Sequence, residues 1–222
     1  MKHKHLVFLS TLFSVLGLLP TETRAEVTIT APSGTVYAVI GHTYDAANKP
    51  LGTTICFNTS SGWYGLTLGG TKSGMNQSII LNMTNNSETI VYGGFPFSPA
   101  KCLGNSMRAP ISNGWSVVIN GSGGNDSMWG PPAGGFYLAG DGGNDYLYLG
   151  GPGWAFGAAG NDSIRGHSGT SEWLLGGDGS DCIDDADRGA QIYNCGAGQD
   201  TFAANDATFN RVECETPVSY CP

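Results

Sequence analysis

Five nine-residue segments recur along the second half of the chain without internal gaps: GSGGNDSMW (121–129), GDGGNDYLY (140–148), GAAGNDSIR (157–165), GGDGSDCID (176–184) and CGAGQDTFA (195–203). Each has Gly fourth, Asn, Ser or Gln fifth, Asp sixth and an apolar residue eighth, and their starts lie 19, 17, 19 and 19 residues apart. A fixed period of this kind marks a chain that stacks one unit on the next. Between the segments, weaker nonapeptides place Tyr137, Phe156, Trp173 and Ile192 at the eighth position. Together with Met128, Leu147, Ile164, Ile183 and Phe202 they form a series of nine apolar residues spaced 8 to 10 apart. The spacing predicts two short strands and two turns per winding, each strand sending one of these side chains into a narrow core. Helix is excluded by composition: 22 of the 35 glycines lie beyond residue 116, and each would cost a helix about 1 kcal/mol relative to alanine. The expectation is an all-β chain with a parallel β-roll, or β-solenoid, of about five coils over residues 116–214 and a tail at 215–222.

Residues 26–115 read differently. Val27–Thr30, Val36–Ile40, Ser78–Met83 and Thr89–Tyr92 are β-like runs separated by Gly, Asn, Ser and Pro, which predicts a small β-rich N-terminal domain or cap. From Ser116, SVVIN leads as a strand into the first repeat. Residues 1–25 have the pattern of a signal peptide: Lys2 and Lys4, an apolar run from Leu6 to Leu19, then Pro20, Thr23 and Ala25. The run is shorter than the roughly 20 residues of a membrane span. The expectation is export to the extracellular space, with cleavage after Ala25 and no stable membrane insertion.

Charge is segregated along the chain. Residues 26–115 carry a net +1, whereas residues 116–222 hold three arginines against fourteen acids, a net −11. The acidic half would repel a phosphate backbone, so nucleic acid is not an expected partner. It suits cations.

The five segments resemble the hemolysin-type calcium-binding repeat of the RTX family, G-G-x-G-x-D-x-U-x with U a large apolar residue. The likeness covers residues 120–203. It implies Ca2+ held between stacked turns, in a roll that orders when the metal binds. The chemistry of the residue types agrees. Calcium takes six to eight oxygens at about 2.3–2.6 Å, and glycine-rich turns let backbone carbonyls converge. Asp126, Asp145, Asp162, Asp181 and Asp200 are expected to form one acidic column. Gly121, Gly123, Asn125, Gly140, Gly142, Asn144, Gly157, Ala159, Asn161, Gly176, Asp178 and Ser180 complete the turns around it. Successive windings lie about 4.8 Å apart. Five turns therefore enclose at most four ions, with Arg165 and Gln199 weakening individual sites. At the opposite edge the sixth positions are Gly135, Trp154, Ser171 and Ala190, none a carboxylate, so a single column is expected.

The six cysteines lie beyond residue 25 and suit disulfides in an exported chain. Cys195 and Cys214 are 19 residues apart, one coil, which would stack their Cα atoms within disulfide reach. The segment from Cys195 to Glu215 also looks like the last coil of exported bacterial members of the family. Cys195–Cys214, Cys182–Cys221 and Cys56–Cys102 are the favoured pairs; Cys182–Cys195 with Cys214–Cys221 is the rival. Other motifs carry less. Ser98–Lys101 matches S-x-x-K without its companion motifs, and His42 with Asp45 lacks a third catalytic partner. The resemblance implies a bacterial source, in which the sequons at Asn58, Asn82 and Asn85 would carry little weight, and those at Asn125 and Asn161 arise from the repeat itself. Trp129, Tyr146, Tyr148 and Trp154 read as packing residues before a ligand strip. The function expected is a secreted, non-enzymatic calcium-binding protein. The alternatives are an adhesin binding an extracellular glycan or protein through residues 26–115, and a small enzyme carried by the roll.

Overall fold

The computed structural model describes residues 26–44, 47, 50–69, 78–92, 101–102, 105–108, 116–132, 135–167, 172–185, 190–204 and 211–221. The chain winds as an all-β parallel solenoid. One sheet, A, takes β1 (Glu26–Thr30), β5 (Ser78–Asn82), β9 (Ser116–Asn120), β11 (Gly135–Gly142), β13 (Gly153–Ala159), β15 (Glu172–Asp178), β17 (Ala190–Ala197) and β19 (Arg211–Val212), side by side in that order. The strand after each of these enters sheet B: β2 (Thr35–Tyr44), β6 (Thr89–Tyr92), β10 (Ser127–Trp129), β12 (Tyr146–Tyr148), β14 (Ser163–Arg165), β16 (Cys182–Asp185), β18 (Thr201–Ala204) and β20 (Thr216–Pro217). From β9 to β18 the roll makes about four turns between its first and last repeat corners.

The sheets do not stop at residue 115. β5 pairs with β9 from Ser78↔Ser116 to Asn82↔Asn120, and β6 pairs with β10, so residues 26–92 supply two earlier windings of the same solenoid. What is inserted there is antiparallel: β3 (Pro50–Thr59) and β4 (Gly62–Gly69) extend sheet B beyond β2, while β8 (Asn105–Arg108) pairs with β2 over His42–Tyr44 and with β7 (Lys101–Cys102). Among the described residues no helix is long and apolar enough to cross a membrane.

One core runs the length of both sheets. Sheet B contributes Ile90, Met128, Leu147, Ile164, Ile183 and Phe202, stacked in register; sheet A contributes Ile79, Leu81, Val117, Ile119, Phe136, Leu138, Ala155 and Leu174. The sheet B beat is therefore the expected one, while the sheet A beat is corrected. Tyr137, Phe156 and Trp173 are only half-buried and face outward, because strand alternation turns inward their neighbours Phe136, Leu138, Ala155 and Leu174. Tyr137, Trp154 and Trp173 share one row across the sheet's outer face; Ile192, next in register, lies outside the residues whose side chains are described. Trp154 and Trp173 stack at 4.9 Å with 12° between their planes, and Tyr137 meets Trp154 edge-on at 4.8 Å.

Disulfides close the C-terminal end. Cys195–Cys214 joins stacked windings at a Cα separation of 5.1 Å, and Cys182–Cys221 ties the tail back at 5.6 Å. Both are favoured pairs, and the rival connectivity is ruled out. Cys56 is also disulfide-bonded; its expected partner Cys102 lies outside the residues whose side chains are described. The end winding lacks a neighbour on one side, and a bridge there restricts the unfolded chain. For the 19-residue separation of Cys195 and Cys214, loop entropy gives about 3 kcal/mol. Replacing both cysteines by serine is expected to lower the urea-unfolding free energy by about that amount, with the midpoint falling accordingly.

Candidate functional site

Each A-to-B corner of the roll is one repeat turn, and there the five aspartates meet in a file. Asp126, Asp145, Asp162, Asp181 and Asp200 are buried, none more than 2 % exposed. Each uses Oδ1 in the same way. The backbone N–H of Asp126 donates to Asp145 Oδ1 at 2.7 Å, and those of Asp145, Asp162 and Asp181 donate to the next aspartate at 2.8 Å each. Oδ2 of all five is buried and has no hydrogen-bond partner among the described residues.

The first residue of each repeat explains where these oxygens lie. A Cβ on Gly121 would stand 2.3 Å from Asp126 Oδ2 and 2.5 Å from the Gly140 carbonyl oxygen. The same holds at Gly157, with Asp162 Oδ2 at 2.2 Å and the Gly176 oxygen at 2.6 Å. Gly140 and Gly176 are crowded alike, by Asp145 Oδ2 with the Gly157 carbonyl and by Asp181 Oδ2 with the Cys195 carbonyl. A free carboxylate oxygen and a carbonyl of the following winding thus converge at the first four corners, in space that a first-position glycine leaves open.

Other turn positions face solvent. Asn125, Asn144, Asn161 and Ser180 are exposed and form a second ladder, in which the N–H of Asn144, Asn161 and Ser180 donates to the preceding Asn Oδ1 at 2.8–2.9 Å. Gly123 and Gly142 are half-exposed, and Ala159 and Asp178 exposed, on the same outer side. The structure therefore brings together the sixth-position aspartates and the first-position carbonyls, and sets the third and fifth positions apart from them.

Two residues of the file were missed in the sequence. Glu88 N–H donates to Asp126 Oδ1 at 2.8 Å, and Asp200 N–H donates to Glu215 Oε2 at 2.9 Å, so glutamates stand at both ends. The opposite edge is not free of carboxylates either. Glu172 and Asp185 are buried there, and a Cβ on Gly166 would lie 2.6 Å from the one and 3.4 Å from the other. Glu172 accepts from the His167 N–H at 2.9 and 3.0 Å. Arg165 points away from the file, to Asp184 at 3.8 Å.

Burial sets the electrostatics. It lifts Asp126 to about 8, opposed by the Glu88 N–H and aided by the carboxylates of Glu88 and Asp145. Burial likewise lifts Asp162 to about 7 and Asp181 to about 6, and raises Asp145 and Asp200; in each a backbone N–H opposes and a neighbouring carboxylate adds. Unpaired charge at such depth is costly. A proton or a cation must neutralise it. The donors are all oxygens, which suits a hard cation. Among the described residues no three His, Cys, Asp or Glu side chains gather around one point. An ion would therefore draw on one or two carboxylates, backbone carbonyls and water.

Among the described residues no rival site assembles. His42 is buried, its Nδ1 3.3 Å from Thr53 Oγ1; Asp45 and Ser98 lie outside the described residues. Trp129, Tyr146 and Tyr148 pack together on sheet B, with Trp129 5.5 Å from each tyrosine, and Trp154 lies on the other sheet, so the four make no common strip. No protein-family model, curated protein or solved structure matches the chain.

Proposed function

We propose that this is an exported, non-enzymatic calcium-binding protein of the hemolysin-type repeat class, whose acidic file takes Ca2+ between successive windings. The observation that carries the reading is the row of five buried, unpartnered Oδ2 atoms, the first four set against the first-position carbonyl of the next winding. Asp126, Asp145, Asp162, Asp181 and Asp200 would hold the metal, with the carbonyls of Gly140, Gly157, Gly176 and Cys195. The bound ion would neutralise charge that the fold otherwise confines. At an effective dielectric near 20, carboxylates about 5 Å apart repel by roughly 3 kcal/mol, and divalent ions reverse that sign. Affinities of about 10⁻⁴–10⁻³ M suffice outside a cell. The net +1 of residues 26–115 and the −11 of residues 116–222 support cation attraction to the repeat half.

Asp162→Asn tests this. The amide keeps an oxygen for the Asp145 N–H and puts an N–H2 where Oδ2 meets the Gly176 carbonyl. In calcium-depleted buffer at pH 7.5 the variant should melt above wild type, and in millimolar calcium below it. The expected inversion is about 1–3 kcal/mol in each direction, the scale of one buried polar group. Far-UV circular dichroism during calcium titration follows the folding. Equal ranking with and without calcium would discard the proposal.

A further inference from the structure

We infer that the cation file extends past the repeats at both ends, with Glu88 opening it and Glu215 closing it, the closing position being held by the Cys195–Cys214 disulfide. This rests on the calcium reading and deepens it.

The turn before β6, Met83–Glu88, contains no glycine and matches no repeat, yet it occupies a repeat corner. Met83 N–H donates to the Asn120 carbonyl at 2.8 Å as Gly121 N–H does to that of Ala139, also at 2.8 Å. Both ladders run on into it: Asn125 N–H donates to Ser87 Oγ at 3.0 Å and Glu88 N–H to Asp126 Oδ1 at 2.8 Å. Glu88 is 2 % exposed. Its Oε1 accepts from the backbone N–H and hydroxyl of Thr84, while Oε2 is buried with no partner among the described residues, the condition of every Oδ2 in the file. The longer glutamate reaches the file from a turn whose own backbone lies differently.

At the other end Asp200 has the same unpartnered Oδ2, and its N–H bonds Glu215. Glu215 directly follows Cys214, whose bridge to Cys195 spans 5.1 Å between Cα atoms. The Cys195 carbonyl is also the oxygen set against Asp181 Oδ2. One disulfide therefore fixes a donor in each of the last two intervals. Glu88, Asp126, Asp145, Asp162, Asp181, Asp200 and Glu215 enclose six intervals, two more than the aspartates alone. The interval at Glu215 binds more weakly than the rest, since that end is solvent-exposed.

Calcium bound per chain is measured by equilibrium dialysis on the oxidised full chain, Glu88→Gln, Glu215→Gln and the interior comparator Asp162→Asn, with far-UV circular dichroism to show that each is folded. Glutamine keeps the acceptor oxygen and removes the charge. The expected result is a loss of about one ion for each glutamine variant, and loss of the Glu215 ion in Cys195→Ser/Cys214→Ser but no further loss when Glu215→Gln is added to that pair. If Asp162→Asn loses calcium while both glutamine variants keep the wild-type number, the extension is overturned and the interior file stands. If the serine pair keeps the wild-type number, the disulfide's part is overturned. If wild type binds no calcium, the proposed function fails and this inference with it.

Discussion

Gly143→Ala is expected to remove the folded roll, while Gly142→Ala, one residue earlier in the same turn, leaves it intact or slightly more stable. At Gly143 the backbone has φ +129°, and a Cβ would stand 1.6 Å from the Gly124 carbonyl oxygen of the preceding winding. Nothing flexible can yield there, because the obstacle is backbone held in the stack. Gly160 and Gly179 repeat the geometry, each 1.7 Å from the carbonyl of the fourth-position glycine one winding earlier. Relief means separating windings, which breaks the ladder on both sides. The cost belongs with the exceptional single substitutions, above about 4 kcal/mol, a large share of the roughly 5–15 kcal/mol that holds a domain folded. At Gly142 the nearest atom to a new Cβ is the Ser122 carbonyl oxygen at 3.9 Å, an ordinary contact. Alanine in a compatible conformation gains about 0.4–1 kcal/mol by restricting the unfolded chain. The chain already tolerates Ala159, Asp178 and Ala197 at this third position, whereas the fourth is glycine in all five repeats. Urea unfolding followed by circular dichroism separates the two variants; equal midpoints would mean that the windings are not stacked in this register.

The same turn shows why half the architecture was legible. Asp six, glycine four and an apolar eight are each dictated by a contact with a neighbouring winding, so the repeat spells out the corner, the sheet B core and the file of five aspartates. Sheet A was harder. Its strand Phe136-Tyr137-Leu138 is apolar at every position, so alternation could not tell inside from outside. The largest side chains drew the reading outward, whereas the narrow interior takes Phe136, Leu138 and small residues such as Ala155. Glu88 and Glu215 were invisible for another reason. Their turns carry neither the fourth-position glycine nor the aspartate, and the antiparallel strands β3 and β4 interrupt the period between the first windings. Contacts with residues 37–39 positions on reveal that corner, among them the hydrogen bond from Glu88 N–H to Asp126. The expected break at residue 115 followed the drop in glycine, which marks the style of the turn and not the end of the sheets.

Acid should hold the calcium-depleted roll together, and alkali should loosen it. The unfolded chain releases aspartate protons near pH 3.8, while the folded file keeps them to higher pH: about 6 at Asp181, about 7 at Asp162 and about 8 at Asp126, with Asp145 and Asp200 also raised. Below the unfolded value both states are protonated and the stabilisation is complete. Between pH 4 and 8 the folded chain binds more protons than the unfolded one, so stability falls with each step in pH. One excess proton is worth about 1.4 kcal/mol per pH unit, and a chain of this size loses about 2–4 °C in Tm per kcal/mol. Even a single proton held over two units moves Tm by roughly 6–12 °C. Calcium turns the slope over, because the metal binds the ionised carboxylates and acid displaces it. In millimolar calcium Tm should rise from pH 4 to 7. Glu172, raised to about 8 chiefly by burial and further by Asp185, steepens the calcium-free slope from the opposite corner. Glu172→Gln should therefore flatten that slope and leave the calcium response intact, while Asp162→Asn diminishes both. Scanning calorimetry at unit pH steps, with and without calcium, gives all six slopes. A calcium-free Tm that climbs with pH would show the file to be ionised and paired in a way these corners do not provide.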